Sequence, residues 1–321
     1  MLDVAKLVLM LTRILHLSVL VSLILVASGG SVSAAGKPAS VDPRIGNDIS
    51  FPQCGKALPT TQAYGIVGVN GGTANKTNVC LAEQLQWAAR SAGNNPNQPR
   101  VQLYVNTGNP GEVLEQYAVD TWPTNNVDPR GTDSVTGANA SGVIDPNKVS
   151  PHGACTPTAG SYRESTNDKA CSWQYGWNRA VVTVDERFKP AAASVGHSTN
   201  PTDYKWWLDV ETMNSWQTAG NVDATARNAA SLEGMKQFYA SEGVSKVGIY
   251  STSYQWNQIV GNTLETSTTG ANLKGLESWL AGAASATDAK KRCTTLRGLT
   301  GGPVIMNQYV SRNLDYNYSC L

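Results

Sequence analysis

Histidine is almost absent from this chain. Three of its 321 residues are histidine, and His16 lies in an apolar N-terminal run, which leaves His152 and His197 for chemistry. The six cysteines contain no Cys-x-x-Cys pair. A zinc centre of cysteine and histidine is therefore not expected, nor is a Ser–His–Asp triad. There is no Gly-x-Ser-x-Gly elbow and no Walker-type glycine loop, so neither a nucleotide nor another cofactor is implied. Charge of one sign is also missing: 25 Lys and Arg stand against 24 Asp and Glu. Such a balance gives nothing to hold a nucleic acid or an anionic membrane. No internal repeat is visible.

One apolar run is long enough to notice. Lys6 and Arg13 precede it, Ile14 to Val26 form it, and Val32-Ser33-Ala34 supplies small residues for cleavage. Residues 1–34 read as a signal peptide, because the run is short for a membrane span and small residues follow it directly. Residues 35–44 read as a short disordered linker, and residues 45–321 as one domain. The expected product is a secreted, extracellular monomer with no membrane contact once the signal is removed. All six cysteines follow the signal, which fits an oxidising compartment. Fifteen pairings are possible. Sequential pairing, Cys54–Cys80, Cys155–Cys171 and Cys293–Cys320, closes a modest loop each time and is the expectation.

Among the residues present, Trp206-Trp207-Leu208-Asp209-Val210-Glu211 says most. A strand apolar on both faces is normally a buried parallel strand. Residues two apart in a strand share a side, so Asp209 and Glu211 stand together roughly 6–7 Å apart, with Trp207 on their side and Trp206, Leu208 and Val210 on the other. Carboxylates at the carboxyl end of such a strand lie where α/β folds keep active sites. Taken alone, the pair could equally open a loop.

Further strands are expected at Ile45–Ser50, Tyr64–Val69, Val101–Asn106, Lys205–Val210, Val247–Ser251, Glu277–Ala281 and Val304–Tyr309. Helices are expected at Val79–Arg90, about Cys171–Phe188 and Asp223–Glu242, the last stopped by Gly243. Strand–helix alternation implies parallel strands joined by crossovers. After Tyr250 the helices shrink and the strands crowd, so an irregular barrel is expected. A stretch of about 107–172, rich in Pro, Gly, Asn and Thr, is too long for an ordinary connection and reads as an inserted loop. Because it follows the third strand, it should overhang the face of Asp209 and Glu211, either as a substrate-shaping lid or as a plain surface excursion.

At the carboxyl rim of such a barrel Asp48, Tyr104, Asn106, Asp209, Glu211, Tyr250, Trp279, Gln308, Tyr309, Asp315 and Asn317 would gather. Acids with many aromatics suit a sugar: carboxyl groups protonate the leaving oxygen and stabilise positive charge at the anomeric carbon, and aromatic faces stack on pyranose rings.

The chain resembles glycoside hydrolase family 25, the secreted muramidases, and more closely the secreted glycoside-hydrolase-like proteins related to them. The resemblance is carried by Asp48-Ile49-Ser50, Trp207-Leu208-Asp209-Val210-Glu211, Gly248-Ile249-Tyr250-Ser251, Trp279-Leu280-Ala281, Gln308-Tyr309 and Asp315-Tyr316-Asn317, from about residue 45 to the C-terminus. It implies an α/β barrel of TIM-like (β/α)5(β)3 type, here with the long inserted loop after the third strand. It implies Glu211 as general acid and Asp209 as the group that stabilises the cation or orients an N-acetyl group, with Asp48 and Asp315 completing an acidic cleft. Asn106, Tyr104, Tyr250, Trp279, Gln308, Tyr309 and Asn317 would then bind substrate, with no metal. The implied partner is a polysaccharide such as peptidoglycan, cleaved at β-1,4 bonds. The alternatives are a silent glycan- or cell-surface-binding barrel and a hydrolase of another polysaccharide. The third strand departs from the family, ending Tyr104-Val105-Asn106 where Tyr-His-Phe is usual. Asn317 also lies in an Asn-x-Ser sequon, as Asn139 does, while Asn75 lies in Asn-x-Thr; a glycan on Asn317 would clash with a site there.

Overall fold

The computed structural model describes residues 40–111, 121–156, 167–217 and 223–321. The expected signal peptide, residues 35–39 of the expected linker and parts of the insertion lie outside them. Val41–Arg44 of that linker are tied to the domain. The carbonyls of Val41 and Pro43 accept from Asn94 and Asn95, and Arg44 Nη1 donates to the Tyr318 hydroxyl at 2.8 Å.

Eight strands close a barrel in sequence order. They are β1 (Ile45–Ile49), β2 (Gly65–Gly68), β3 (Val101–Asn106), β4 (Lys205–Asp209), β5 (Val247–Ser251), β6 (Glu277–Ala283), β7 (Val304–Ser311) and β8 (Leu314–Ser319). β1 to β7 pair in parallel, and β8 runs antiparallel to both β7 and β1. β8 was not among the expected strands. Its sequence, Leu-Asp-Tyr-Asn-Tyr-Ser, lacks the aliphatic run that marks the others. It returns through Arg312 and Asn313, both at positive φ (53° and 60°), a two-residue turn suited to a hairpin.

The outer layer contains α1 (Leu81–Ala89), α2 (Lys169–Val182), α3 (Lys189–Ser194), α4 (Ala224–Ser241), α5 (Ser253–Ile259), α6 (Thr263–Thr266) and α7 (Ala286–Thr295). A wide π-turn, Thr183–Phe188, joins α2 to α3 without a break. α7 was not expected. It has one buried residue, Ala289, so it carries little of the apolar period that marks a packed helix.

Two cores follow from the strand period. Trp206, Leu208 and Val210 point outward into the layer between sheet and helices, with Trp173, Trp177, Phe188, Phe238 and Tyr239. Trp207 points inward, with Tyr64, Ile66, Tyr250, Trp279, Ile305 and Met306. The interior holds large rings because glycine faces them: a Cβ on Gly248 would lie 2.3 Å from the Trp207 ring, and one on Gly68 2.6 Å from Tyr104. Below the rings lies a polar floor. Trp207 Nε1 donates to Gln102 Oε1 at 2.8 Å, Gln102 to Gln98, and Gln98 to Ser319. Lys205 pairs with Glu277 and sits 4.7 Å from the Trp207 ring centroid.

All three disulfides join the cysteines expected: Cys54–Cys80, Cys155–Cys171 and Cys293–Cys320. They tie the loop after β1 to α1, the insertion to α2, and α7 to the end of β8. Loops of this size contribute about 3 kcal/mol each by restricting the unfolded chain.

Thr107, the first residue of the insertion, bonds the Asp209 carbonyl at the rim, but residues 121–156 do not overhang it. They dock on the outer layer instead. Asp128 accepts from Trp177 Nε1 at 2.8 Å, and Ser134 bonds Gln174, both on α2. Arg130 pairs with Asp185 in the π-turn and with Glu242 at the far end of α4. Gln237 on α4 donates to the carbonyls of Asn147 and Val149, and His152 Nε2 meets Glu233 Oε2 at 2.7 Å. These groups draw the segment down the helices, away from the carboxyl ends of the strands.

Candidate active site

Parallel pairing sets the height of each side chain in the barrel. Asn106 is in register with Asp209, and Asp209 with Tyr250. Across the antiparallel pair, Asp48 faces Asp315. These registers bring side chains far apart in sequence to one level at the rim. There Asp48, Tyr104, Asp209, Glu211, Tyr250, Trp279, Gln308 and Asp315 line a cavity of about 180 Å³. Its walls carry four carboxyl groups, three aromatic rings and no cation.

Asp209 ends β4 and is held from behind. Its carbonyl accepts from Thr107 N, Thr107 Oγ1 and Asn214 Nδ2, which fixes the strand end. Its Oδ2 accepts from Asn106 Nδ2 at 2.7 Å, while Oδ1 is buried without a partner. Glu211 lies two residues beyond, its carbonyl accepting from Asn214 N. Asp48 is cradled by carboxamides: Gln308 Nε2 donates to both its oxygens at 3.0 and 3.1 Å, and Asn317 Nδ2 to Oδ1 at 2.7 Å. Tyr250 donates its hydroxyl to Gln308 Oε1 at 2.8 Å, which leaves the Gln308 amino group for Asp48. Trp279 stacks tilted on Tyr250, with centroids 4.3 Å apart, and its buried Nε1 also has no partner.

Burial without a counter-charge shifts every acid the same way. Asp48 is pushed up to about 7, first by burial and then by Asp315, against the pull of the two carboxamides. Asp209 lies well above the ordinary carboxylate range through burial, then Glu211 and Asp48, with Asn106 opposing. Glu211 is raised by burial and by Asp315, and Asp315 by burial. Such a cavity keeps protons on carboxyl groups that water would strip, which is what a general acid needs.

Residues 188–273 match the family model described as lysozyme-like protein 1. The matched segment carries β4 with Asp209 and Glu211, then α4, β5 and α5; Asp48, Gln308 and Asp315 lie outside it. Among curated proteins, none matches this chain. Among solved structures, the muramidase from Acremonium alcalophilum is 15% identical, with 86% of this chain and 92% of that one covered and a TM-score of 0.42. The lysozyme from Streptomyces coelicolor is 13% identical, covering 86% and 91%, with a TM-score of 0.40. A family GH25 lysozyme from Aspergillus fumigatus is 11% identical, covering 86% and 93%, with a TM-score of 0.41.

Eight of the eleven expected site residues line the cavity directly. Asn106 and Asn317 stand one step behind it, each bonded to a cavity acid. Tyr309 is not brought in. Gln308 faces inward, so strand alternation turns Tyr309 outward, where it stacks on Tyr316 with centroids 5.4 Å apart. Ser50 of the expected Asp48-Ile49-Ser50 strand end bonds Tyr104, while Thr107 and Asn214, which clamp Asp209, were not expected. No local motif announces them. A larger cleft of about 660 Å³ opens between α5–α6 and the loop before β7. It holds one acid, Glu265, beside Lys274 and Arg297, so the acid chemistry belongs to the smaller cavity. Among the described residues no group of His, Cys, Asp and Glu is disposed to hold a metal ion.

Proposed function

We propose that this chain is an exported glycoside hydrolase that cleaves β-1,4 bonds in an amino-sugar polymer such as peptidoglycan. The observation that carries this reading is a rim cavity with four acids, aromatic walls and no cation. Glycoside cleavage supplies the missing charge, because the sugar ring becomes positive as the bond breaks. Acids crowded at a cost in the resting cavity are relieved in that transition state, and such differential stabilisation is catalysis. Glu211 is the proton donor to the glycosidic oxygen. It is the less enclosed member of the Asp209–Glu211 pair and has the raised affinity for its proton that the step requires. Asp209 stabilises the cation, with Asp48 and Asp315 completing the cleft.

The amino-sugar class is supported by two orphans. Asp209 Oδ1, an acceptor when ionised, and Trp279 Nε1, a donor, are both buried without partners on side chains that line the cavity. An acetamido group offers one donor and one acceptor, and satisfying both would recover the desolvation each now costs. The family match over residues 188–273 and the three disulfides, which fit an oxidising compartment, support the same reading.

The test is turnover on peptidoglycan and on a panel of soluble glycans with and without N-acetyl groups, using Glu211→Gln as control. Turnover that falls roughly 10²–10⁴-fold in the variant supports the assignment. Binding without turnover, unchanged by Glu211→Gln, would instead make the barrel a glycan-binding protein.

A further inference from the structure

We propose that Asn139 is an N-glycan acceptor, that its glycan covers the apolar pair Val143–Ile144, and that Asn317 stays unmodified. This inference rests on the reading that the chain is exported, not on the proposed catalytic activity. Both residues head Asn-x-Ser sequons, Asn139-Ala140-Ser141 and Asn317-Tyr318-Ser319. A sequon alone does not separate them. The structure does.

Asn139 sits at the tip of a tight turn in the insertion, where Ala138 bridges Ile144. Its Oδ1 accepts from Ser141 N at 2.9 Å and from Val143 N at 3.0 Å. Both bonds engage the oxygen, so the amide nitrogen is turned outward on an exposed residue. Ser141, the other residue the transfer reads, is exposed too. In the transfer, Nδ2 bonds to the anomeric carbon of a lipid-diphosphate-linked oligosaccharide. The carbon–oxygen bond to the diphosphate breaks, and the amide loses one proton.

Asn317 has the opposite setting. It is 0% exposed inside the barrel, and its Nδ2 donates to Asp48. A sugar on that nitrogen would displace the bond and fill the space between β1 and β7. A chain so modified cannot close the barrel, so folded protein lacks it.

The second observation is the surface beside Asn139. Val143 and Ile144 are 64% and 65% exposed on the same turn, an apolar step that the described residues leave uncovered. The first sugars of a chain on Asn139 would lie over it and shield it from water. The turn belongs to the part of the insertion docked on α2 and α4, so the glycan leaves the rim clear.

The experiment uses the full chain secreted from a eukaryotic host, treated with an amidase that converts glycosylated Asn to Asp in heavy-oxygen water, then read by peptide mass spectrometry. Heavy Asp at position 139 and unchanged Asn at 317 are expected, and Ser141→Ala should abolish the label at 139 while the protein is still secreted. Loss of the glycan should raise binding of a hydrophobic dye several-fold, and Val143→Ser with Ile144→Ser in the same background should remove that rise. Unlabelled Asn139 in secreted protein, or heavy Asp at 317 in folded protein, would overturn the assignment. A dye signal that ignores the glycan would remove the shielding role.

Discussion

The two ends of the barrel interior are built from the same kinds of residue and behave in opposite ways. At the floor, Lys205 meets Glu277, and the side-chain run from Trp207 through Gln102 and Gln98 to Ser319 leaves donors facing acceptors. At the rim, Asp48, Asp209, Glu211 and Asp315 share one cavity with no cation, and three buried polar atoms there, Asp209 Oδ1, Trp279 Nε1 and Asn317 Oδ1, lack partners. A folded chain normally satisfies what it buries. The floor follows that rule and reads as stability. The rim breaks it with like charges as well as unpartnered atoms, and a cluster of acids perturbed by burial and by one another marks a candidate functional site.

The sharpest way to break this comparison is to neutralise one acid at each end. Glu211→Gln at the rim should cost roughly 10²–10⁴-fold in turnover. It should leave the melting temperature unchanged or slightly higher, since it removes a repelling charge. Glu277→Gln at the floor should reverse the pattern, with turnover near wild type. Its stability loss should be about 1–2 kcal/mol, modest because the pair is partly solvated. Calorimetry beside the turnover assay reads both, and equal behaviour of the two variants would erase the distinction.

The next effect is in pH. Asp48 is pushed from an ordinary 3.8 up to about 7, so the folded state holds its proton more tightly than the unfolded chain does. Its contribution to stability is complete below about pH 4 and is lost as pH rises through about 7, amounting to up to about 4 kcal/mol. Asp209, Glu211 and Asp315 are raised as well and act with the same sign. Thermal melts should therefore show a more stable protein near pH 5 than near pH 8.5, with Asp48→Asn flattening the difference. Turnover should also fall as pH rises and Glu211, raised by burial and by Asp315, loses its proton. A melt that rises with pH would show that the rim acids are not held as described.

How much of this was legible in the sequence depends on what each feature rests on. The apolar runs that became β1 to β7 announced themselves, because parallel strands buried on both faces need them. Asp209 and Glu211 were visible because strand alternation fixes their side from local spacing alone, and the cysteine pairs because each closes a modest loop. β8 was not seen as a strand, since tyrosines and polar residues carry it. Tyr309 was misplaced, because Gln308 and Tyr309 read as one motif while the strand period sends neighbours to opposite faces. The docking of the insertion on α2 and α4 depends on pairs such as Arg130 with Glu242, whose meeting no local pattern encodes. The same holds for the carboxamides that position the acids. Gln308 and Asn317 reach Asp48 from 260 and 269 residues away.

Those carboxamides give the smallest prediction and the finest test of the rim. Tyr250 donates to Gln308 Oε1 and so decides which end of that amide faces Asp48. In Tyr250→Phe the ring and its stack on Trp279 remain, while the constraint on the amide is lost. Asp48 then loses part of the donation that favours its ionised form, and its affinity for a proton rises further. The expected cost in turnover is about 3–10-fold, one hydrogen bond of roughly 0.5–1.5 kcal/mol. The alkaline edge of the stability profile should move to higher pH. Gln308→Glu would place a fifth acid against Asp48 and should shift that edge further in the same direction. If Tyr250→Phe lowers turnover but leaves the pH profile where it was, Tyr250 acts on the substrate and not through Gln308. The aromatic wall, not the carboxamide cradle, would then set the activity of the rim.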